Sequence, residues 1–280
     1  MGRRLLFNFL ILCCSLIIIF VTNTITTAEA AAYNQNKSTI KAFILAGQSN
    51  MVGHGGFFER DAKQWDQRVP SECSPSPAIL RLDENNLWVR AEEPLHVNLY
   101  PLNENGALGV GPGMPFAHKL LQLNPDLGII GLIPCARDES TIQSWVEGET
   151  NGRLVERATA AERFGAEISG LLWWQGGADA KSRSGAEAYH SYQSRFFEQV
   201  QGRFGDIPIV MVIIPPGKRP YSDVVREAQL AFRLPNLYKV DEEALHVPFN
   251  EDKIHVTTDG QVVMGAVLEE TLMCRCDRMA

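Results

Sequence analysis

The sequence predicts a single α/β domain, a three-layer α/β/α sandwich on a central parallel sheet, and three observations predict it. Along residues 42–272, short apolar runs bounded by turn residues alternate with longer segments of helical spacing, the pattern of strands joined by crossover helices. The chain has 280 residues and 45% hydrophobic content, enough to bury one full core and short for two. The first apolar run also stops abruptly at Gly47-Gln48-Ser49-Asn50. Open parallel sheets carry their functional loops at such places, beyond the carboxyl ends of the strands.

The elements follow in order. Residues 42–46, Ala-Phe-Ile-Leu-Ala closed by Gly47, read as a buried strand turning sharply at its end. Residues 53–113 are rich in glycine, proline and polar side chains, and a stretch this long without periodicity reads as a functional loop region walling a crevice. Inside it, 79–82 and 87–89 form a hairpin around Asn85-Asn86. Residues 115–123 have helical spacing, with Pro115 tolerated in the first turn and Asn124-Pro125 ending the helix. Strands are then expected at 127–133, 168–174, 207–214 and 237–240, and helices at 151–166, 186–204, 222–233 and 259–272. Trp173 and Trp174 fall on opposite faces of their strand and read as core.

Composition excludes several functions. A formal net charge of −7, with no basic cluster beyond Arg3-Arg4, argues against a nucleic-acid or anionic-membrane partner. Those arginines precede an apolar run over residues 5–21, and Ala28-Glu29-Ala30 offers the small residues that a signal peptidase reads. Residues 1–30 are therefore expected to be a signal peptide, or else an uncleaved membrane anchor, ahead of a secreted domain at 31–280. Asn36-Lys37-Ser38 is a glycosylation sequon in that compartment. Of the 6 cysteines, Cys13 and Cys14 fall in the leader; Cys73, Cys135, Cys274 and Cys276 permit three pairings among which sequence does not choose. Cys274 and Cys276 have too few companions for zinc, so no metal and no cofactor is expected.

Ser49 sits at the tip of the first strand, where on spacing alone it is as readily a helix cap as a nucleophile. The far end of the chain supplies the other parts of a nucleophile: Asp252 and His255 on one loop offer a base and the group that orients it. At this point the chain resembles the SGNH hydrolases, and within them the sialate O-acetylesterase-like carbohydrate esterases, the plant-type members above all. GQSNM at 47–51 and the late DxxH at 252–255 carry the resemblance, and GVGPGMPFA at 109–117, GLIPCA at 131–136, LLWWQG at 171–176 and VREAQ at 225–229 extend it over nearly everything after the leader. It implies a flavodoxin-like fold, Ser49 as nucleophile, His255 as general base and Asp252 as its orienter. It also implies an oxyanion hole built from the Ser49 amide, the amide of residue 138 and the Gln175 side chain, acting on O-acetylated carbohydrate. His96 in EPLH matches a motif of the plant branch, although a lone histidine is more often structural.

The chain departs from its relatives at two turns. Where they have Gly-Gly-Thr after GLIPCA, this sequence has Asp138-Glu139-Ser140, and where they have WxQGESD it reads WWQGGAD, with Gly177 and Ala178 replacing the acid and serine and Asp179 kept. Carboxylates beside a developing oxyanion oppose it, and a positive φ is tolerated by aspartate better than by glutamate. Arg137 is the counter-charge at hand. Two functions follow: a serine esterase removing acetyl groups from extracellular carbohydrate, or a glycan-binding relative silenced at Asp138-Glu139, the outcome if Glu139 fills the pocket. A thioesterase or lipid esterase is weaker, because the serine motif is GQSNM and not GDSL.

Overall fold

The computed structural model describes residues 39–57, 64–99 and 108–274. The leader, the sequon and Cys276 lie outside them. The described elements fall in one unit, Ile40–Ala280. Seven strands form one sheet: β1 (Ile40–Gly47), β2 (Ile79–Leu82), β3 (Trp88–Arg90), β4 (Ile130–Pro134), β5 (Ala166–Trp174), β6 (Ile209–Ile213) and β7 (Leu237–Asp241), in the order β3-β2-β4-β1-β5-β6-β7. Every pairing is parallel except β2 with β3, the hairpin expected around Asn85-Asn86. The sheet is thus mixed, with one antiparallel strand at its edge. Without that hairpin the order β4-β1-β5-β6-β7 is the 2-1-3-4-5 arrangement of flavodoxin-like sheets. The chain winds first to one side of β1 and then to the other, so the crevice opens at the end of β1.

Alternation along the strands builds two cores. Phe43 and Leu45 of β1, Leu172 and Trp174 of β5 and Val210 and Val212 of β6 face one side. There they meet α2 (Gly113–Leu123) and α8 (Thr258–Met273) through Met114, Phe116, Met264 and Leu268. These helices pack so closely that a Cβ on Gly265 would lie 2.6 Å from the carbonyl oxygen of Pro112. Ala42, Ile44, Leu171, Trp173 and Met211 face the other side, under α4 (Glu149–Arg163), α5 (Arg183–Phe204) and α6 (Ser222–Ala231). Trp173 stacks on Phe196 with ring centroids 4.3 Å apart. Cys73 belongs to the first core and Cys135 to the second, so a bridge between them would have to cross the sheet.

Boundaries differ from the sequence reading where glycine intervenes. The strand expected from residue 127 starts at Ile130, because Pro125–Leu127 is a 3-10 turn closed by Gly128 at φ 79°. The helix expected to 166 ends at Arg163, with Phe164 after it and Gly165 at φ 82° as its left-handed terminator. Three single-turn helices, α1 (Ser49–Val52), α3 (Ser144–Glu147) and α7 (Glu242–Leu245), were not expected; one turn carries no readable period. Among the described residues, no helix is long and apolar enough to cross a membrane.

Candidate active site

The site begins where β1 leaves the sheet. Gly47 has φ 132°, and a Cβ there would lie 2.1 Å from the carbonyl oxygen of Trp174, so only glycine lets β1 turn against the end of β5. The N–H of Gln48 then donates to that same carbonyl at 2.9 Å. Gln48 occupies the cap position of α1 with extended backbone, and Ser49 is the first helical residue. Ser49 is therefore not the cap.

Asn50 links this turn to the far end of the chain. Its Oδ1 accepts the N–H of Val256 at 3.0 Å, its Nδ2 donates to the Ile254 carbonyl at 3.4 Å, and its own carbonyl accepts from Gln261 Nε2 at 3.1 Å. The loop so held carries the histidine. His255 Nδ1 lies 2.5 Å from Asp252 Oδ2, while Asp252 Oδ1 accepts the N–H groups of Ile254 and His255 at 2.9 Å each. Burial pushes the Asp252 carboxyl up, but the ring hydrogen bond and the two amides outweigh it and hold its pKa at about 2. Thr257 caps α8 immediately afterwards, its Oγ1 accepting from Gly260 N at 3.2 Å. Ser49 and His255 line one cleft with Trp174, Gln175, Lys218 and Glu242. Lys218, Arg219 and Glu242, which follow β6 and β7, also line it and were not singled out in the sequence; Lys218 Nζ donates to the Lys253 carbonyl on the His255 loop at 2.8 Å.

The expected oxyanion residues are arranged as follows. Gln175 is fully buried, and its Nε2 donates to Asp179 Oδ2 at 2.6 Å and to the Ser140 carbonyl at 2.9 Å, with Gln48 Oε1 at 3.4 Å. Asp179 also accepts the N–H of Ile142 at 3.0 Å; burial pushes its carboxyl up to about 6 against these hydrogen bonds. The turn after β4 is strapped to the end of β1, since Arg137 N and Ser140 Oγ both donate to the Gly47 carbonyl, at 3.0 and 3.2 Å. Within it Glu139 has φ 56°, the left-handed conformation that suits glycine. Its carboxylate turns outward to Lys181 and is largely exposed, so Glu139 borders the cleft without filling it. The Asp138 carboxylate points to His54 Nε2 at 2.9 Å, and Arg137 pairs with Glu149 at 2.9 Å.

His96 is buried behind the turn, its Nε2 accepting the N–H of Ala136 at 3.2 Å; burial, aided by the charge of Arg157, lowers its pKa to about 3. That is the structural role expected of it. Sequence reasoning missed Asn50 and His54, although both stand within seven residues of Gly47 in the motif it started from. Among the described residues no group of three or more His, Cys, Asp or Glu side chains is arranged to hold a metal ion.

Residues 39–274 match the family model described as carbohydrate esterase, sialic acid-specific acetylesterase. A probable carbohydrate esterase of Arabidopsis thaliana is 38% identical over 238 residues, 82% of this chain and 89% of that protein. The X-ray structure of that Arabidopsis protein superposes with a TM-score of 0.76 at 36% identity, covering 84% of this chain and 98% of the other. The crystal structure of NanS superposes with a TM-score of 0.61 over 86% of this chain and 99% of its own, at 16% identity, a likeness of fold.

Proposed function

The chain belongs to the carbohydrate esterase, sialic acid-specific acetylesterase family, and from that premise we propose that it hydrolyses O-acetyl esters of carbohydrate with Ser49, His255 and Asp252 as its triad. The observation that carries the reading is the 2.5 Å contact of Asp252 Oδ2 with His255 Nδ1, on a loop that Asn50 ties to the Ser49 turn. With Nδ1–H held by Asp252, His255 Nε2 is left to take the Ser49 proton as Oγ attacks the acetyl carbonyl. The carbonyl electron pair moves onto oxygen and then returns, expelling the sugar alkoxide, which takes the proton back from Nε2 and leaves acetyl on Ser49 Oγ. Water repeats the sequence and releases acetate. Donors for the oxyanion are the Ser49 and Asp138 amides and Gln175 Nε2, which would first exchange one of its internal acceptors. Lys218 and Arg219 stand where the sugar would lie. We read the protein as secreted behind its leader, with a retained anchor as the alternative.

A glycan-binding protein without turnover is the second reading, favoured by one observation, the commitment of the Gln175 amide to Asp179 and Ser140. Hydrolysis of 4-nitrophenyl acetate by the purified protein beside Ser49→Ala separates the two. Ser49→Ala is expected to lose at least about 10³-fold in kcat. A wild type no faster than Ser49→Ala, yet retained on an acetylated polysaccharide column, would turn the assignment to binding.

A further inference from the structure

His255 has a second histidine beneath it. The ring of His54, buried, stacks on that of His255 with centroids 4.4 Å apart and planes 16° from parallel. His54 in turn faces a carboxylate, its Nε2 lying 2.9 Å from Asp138 Oδ1. The two pairs, Asp252 with His255 and Asp138 with His54, are therefore laid one on the other. The stack is anchored to the catalytic loop, because the His54 carbonyl accepts from Asn250 Nδ2 at 2.9 Å, and Phe57 closes its edge at 5.6 Å from His54 and 5.9 Å from His255. With Nε2 facing a carboxylate and the buried Nδ1 without a partner among the described residues, the neutral ring carries its proton on Nε2.

We propose that His54 is a positioning residue for the hydrolysis, which with Asp138 fixes the plane of the His255 ring and holds a negative charge behind the imidazolium that forms on it. The inference rests on the esterase reading of Ser49 and His255. It accounts for the acidic residue in the turn after β4. An aspartate there would oppose an oxyanion if its side chain turned to the cleft, but it turns to His54 and supports the cation of the base. Burial pushes the Asp138 carboxyl up, yet the hydrogen bond from His54 and the charges of His54, His255 and His96 outweigh it and hold it below the usual range. The charged groups around the stack are Asp252 on the catalytic loop and Asp138 and His96 behind. Across the cleft stand the Glu139–Lys181 pair, Lys218, Arg219 and Glu242.

The experiment compares the full-length wild type, Asp138→Asn and His54→Phe, with Ser49→Ala as control, by kcat and KM on 4-nitrophenyl acetate across pH 5–9 and by NMR titration of the His255 ring. Asp138→Asn keeps an acceptor for Nε2–H and removes only the charge. It is expected to move the acid limb of kcat/KM, and the His255 titration midpoint, to lower pH by about half a unit, a threefold change in the proton equilibrium. It should also lower kcat at least threefold with KM within twofold. His54→Phe keeps a stacked ring and the Asp138 carboxylate but removes the hydrogen bond between His54 and Asp138 that holds the ring plane, and should lower kcat at least threefold with KM within twofold. Profiles and midpoints coincident with wild type in both folded variants would overturn the inference. The esterase reading fails separately, if wild type is no faster than Ser49→Ala; the His255 midpoint still decides the role of Asp138 in that case.

Discussion

Asn50 shows what a single side chain does in this site. Two side-chain contacts, to Val256 N and Ile254 O, fix the residue after Ser49 against the residues on either side of His255, and the Asn50 carbonyl adds a third contact, from Gln261 Nε2. Asn50→Ala leaves the buried N–H of Val256 without an acceptor, which costs about 1–3 kcal/mol. It also frees the catalytic loop relative to Ser49, and a displacement of about 1 Å at a reacting group is worth about 10²-fold in rate. Urea melts and kcat should fall together by those amounts, whereas Asn50→Asp, which keeps the acceptor for Val256, should recover most of the stability. Unchanged kcat in a destabilised Asn50→Ala would mean that the loop holds its place without the tie. At this scale the sequence was legible where a residue type announces its chemistry: serine at a strand tip, histidine three residues after aspartate. It was silent on Asn50 and His54, whose roles are contacts with residues about two hundred positions away. No local pattern encodes such contacts, and an asparagine or a lone histidine has many ordinary uses.

The turn after β4 holds strain that belongs to the element more than to any one contact. Glu139 adopts φ 56°, and a non-glycine residue there costs about 1–2 kcal/mol. Its ion pair with Lys181 is exposed on both sides and offsets little of this. Glu139→Gly should therefore raise stability by about 0.5–1 kcal/mol, after the greater entropy of glycine in the unfolded chain is counted, and raise Tm by about 2 °C. A lower Tm would show that the carboxylate contributes more at the cleft wall than its exposure suggests. That the turn departs from a glycine pair was readable in the sequence, and so was the difficulty of placing glutamate there. Which of the two acidic residues takes the positive φ was not: aspartate suits it better than glutamate, yet Glu139 takes it, with Asp138 drawn to His54 and Glu139 to Lys181. Long periodic segments were located to within a few residues. Two of the misses stand at the left-handed Gly128 and Gly165, which interrupt the apolar pattern; others are the start of α5 at Arg183, where 186 was expected, and the end of α6 at Ala231, where 233 was expected.

Strand alternation with helices was enough to predict the layers, but not the order of the strands, since each short aliphatic run would pair with any neighbour of similar length. Nor does sequence show which acids the finished fold encloses. Nothing in Asp241-Glu242-Glu243 marks one acid for burial, yet Glu242 is 3% exposed, at the end of β7 beside Trp174, whose Nε1 donates to it at 3.0 Å. Burial, with the charges of Asp241 and Glu243, raises its pKa to about 8 against the Trp174 hydrogen bond and the charge of Lys218. His96, buried on the opposite side of the site, is lowered to about 3. The two groups act on stability with opposite signs. Between the unfolded carboxyl value of 4.5 and about 8, the native state keeps a proton on Glu242 that the unfolded chain has lost, so stability falls as pH rises. Between about 3 and the unfolded imidazole value of 6.5, the unfolded chain binds a proton that native His96 refuses, so stability falls as pH drops. From 4.5 to 6.5 the His96 slope offsets that of Glu242, but Glu93, likewise raised by burial to about 8, adds a second slope of the same sign as Glu242; above 6.5 the two acids act together, each at up to about 1.4 kcal/mol per pH unit. Thermal melts should accordingly fall from pH 6.5 to 8 in the wild type and fall less in Glu242→Gln, which retains an acceptor for Trp174 but has no proton to lose. Equal slopes in the two proteins would mean that Glu242 is already ionised in the fold, with Lys218 as its counter-charge and a smaller positive field left in the cleft.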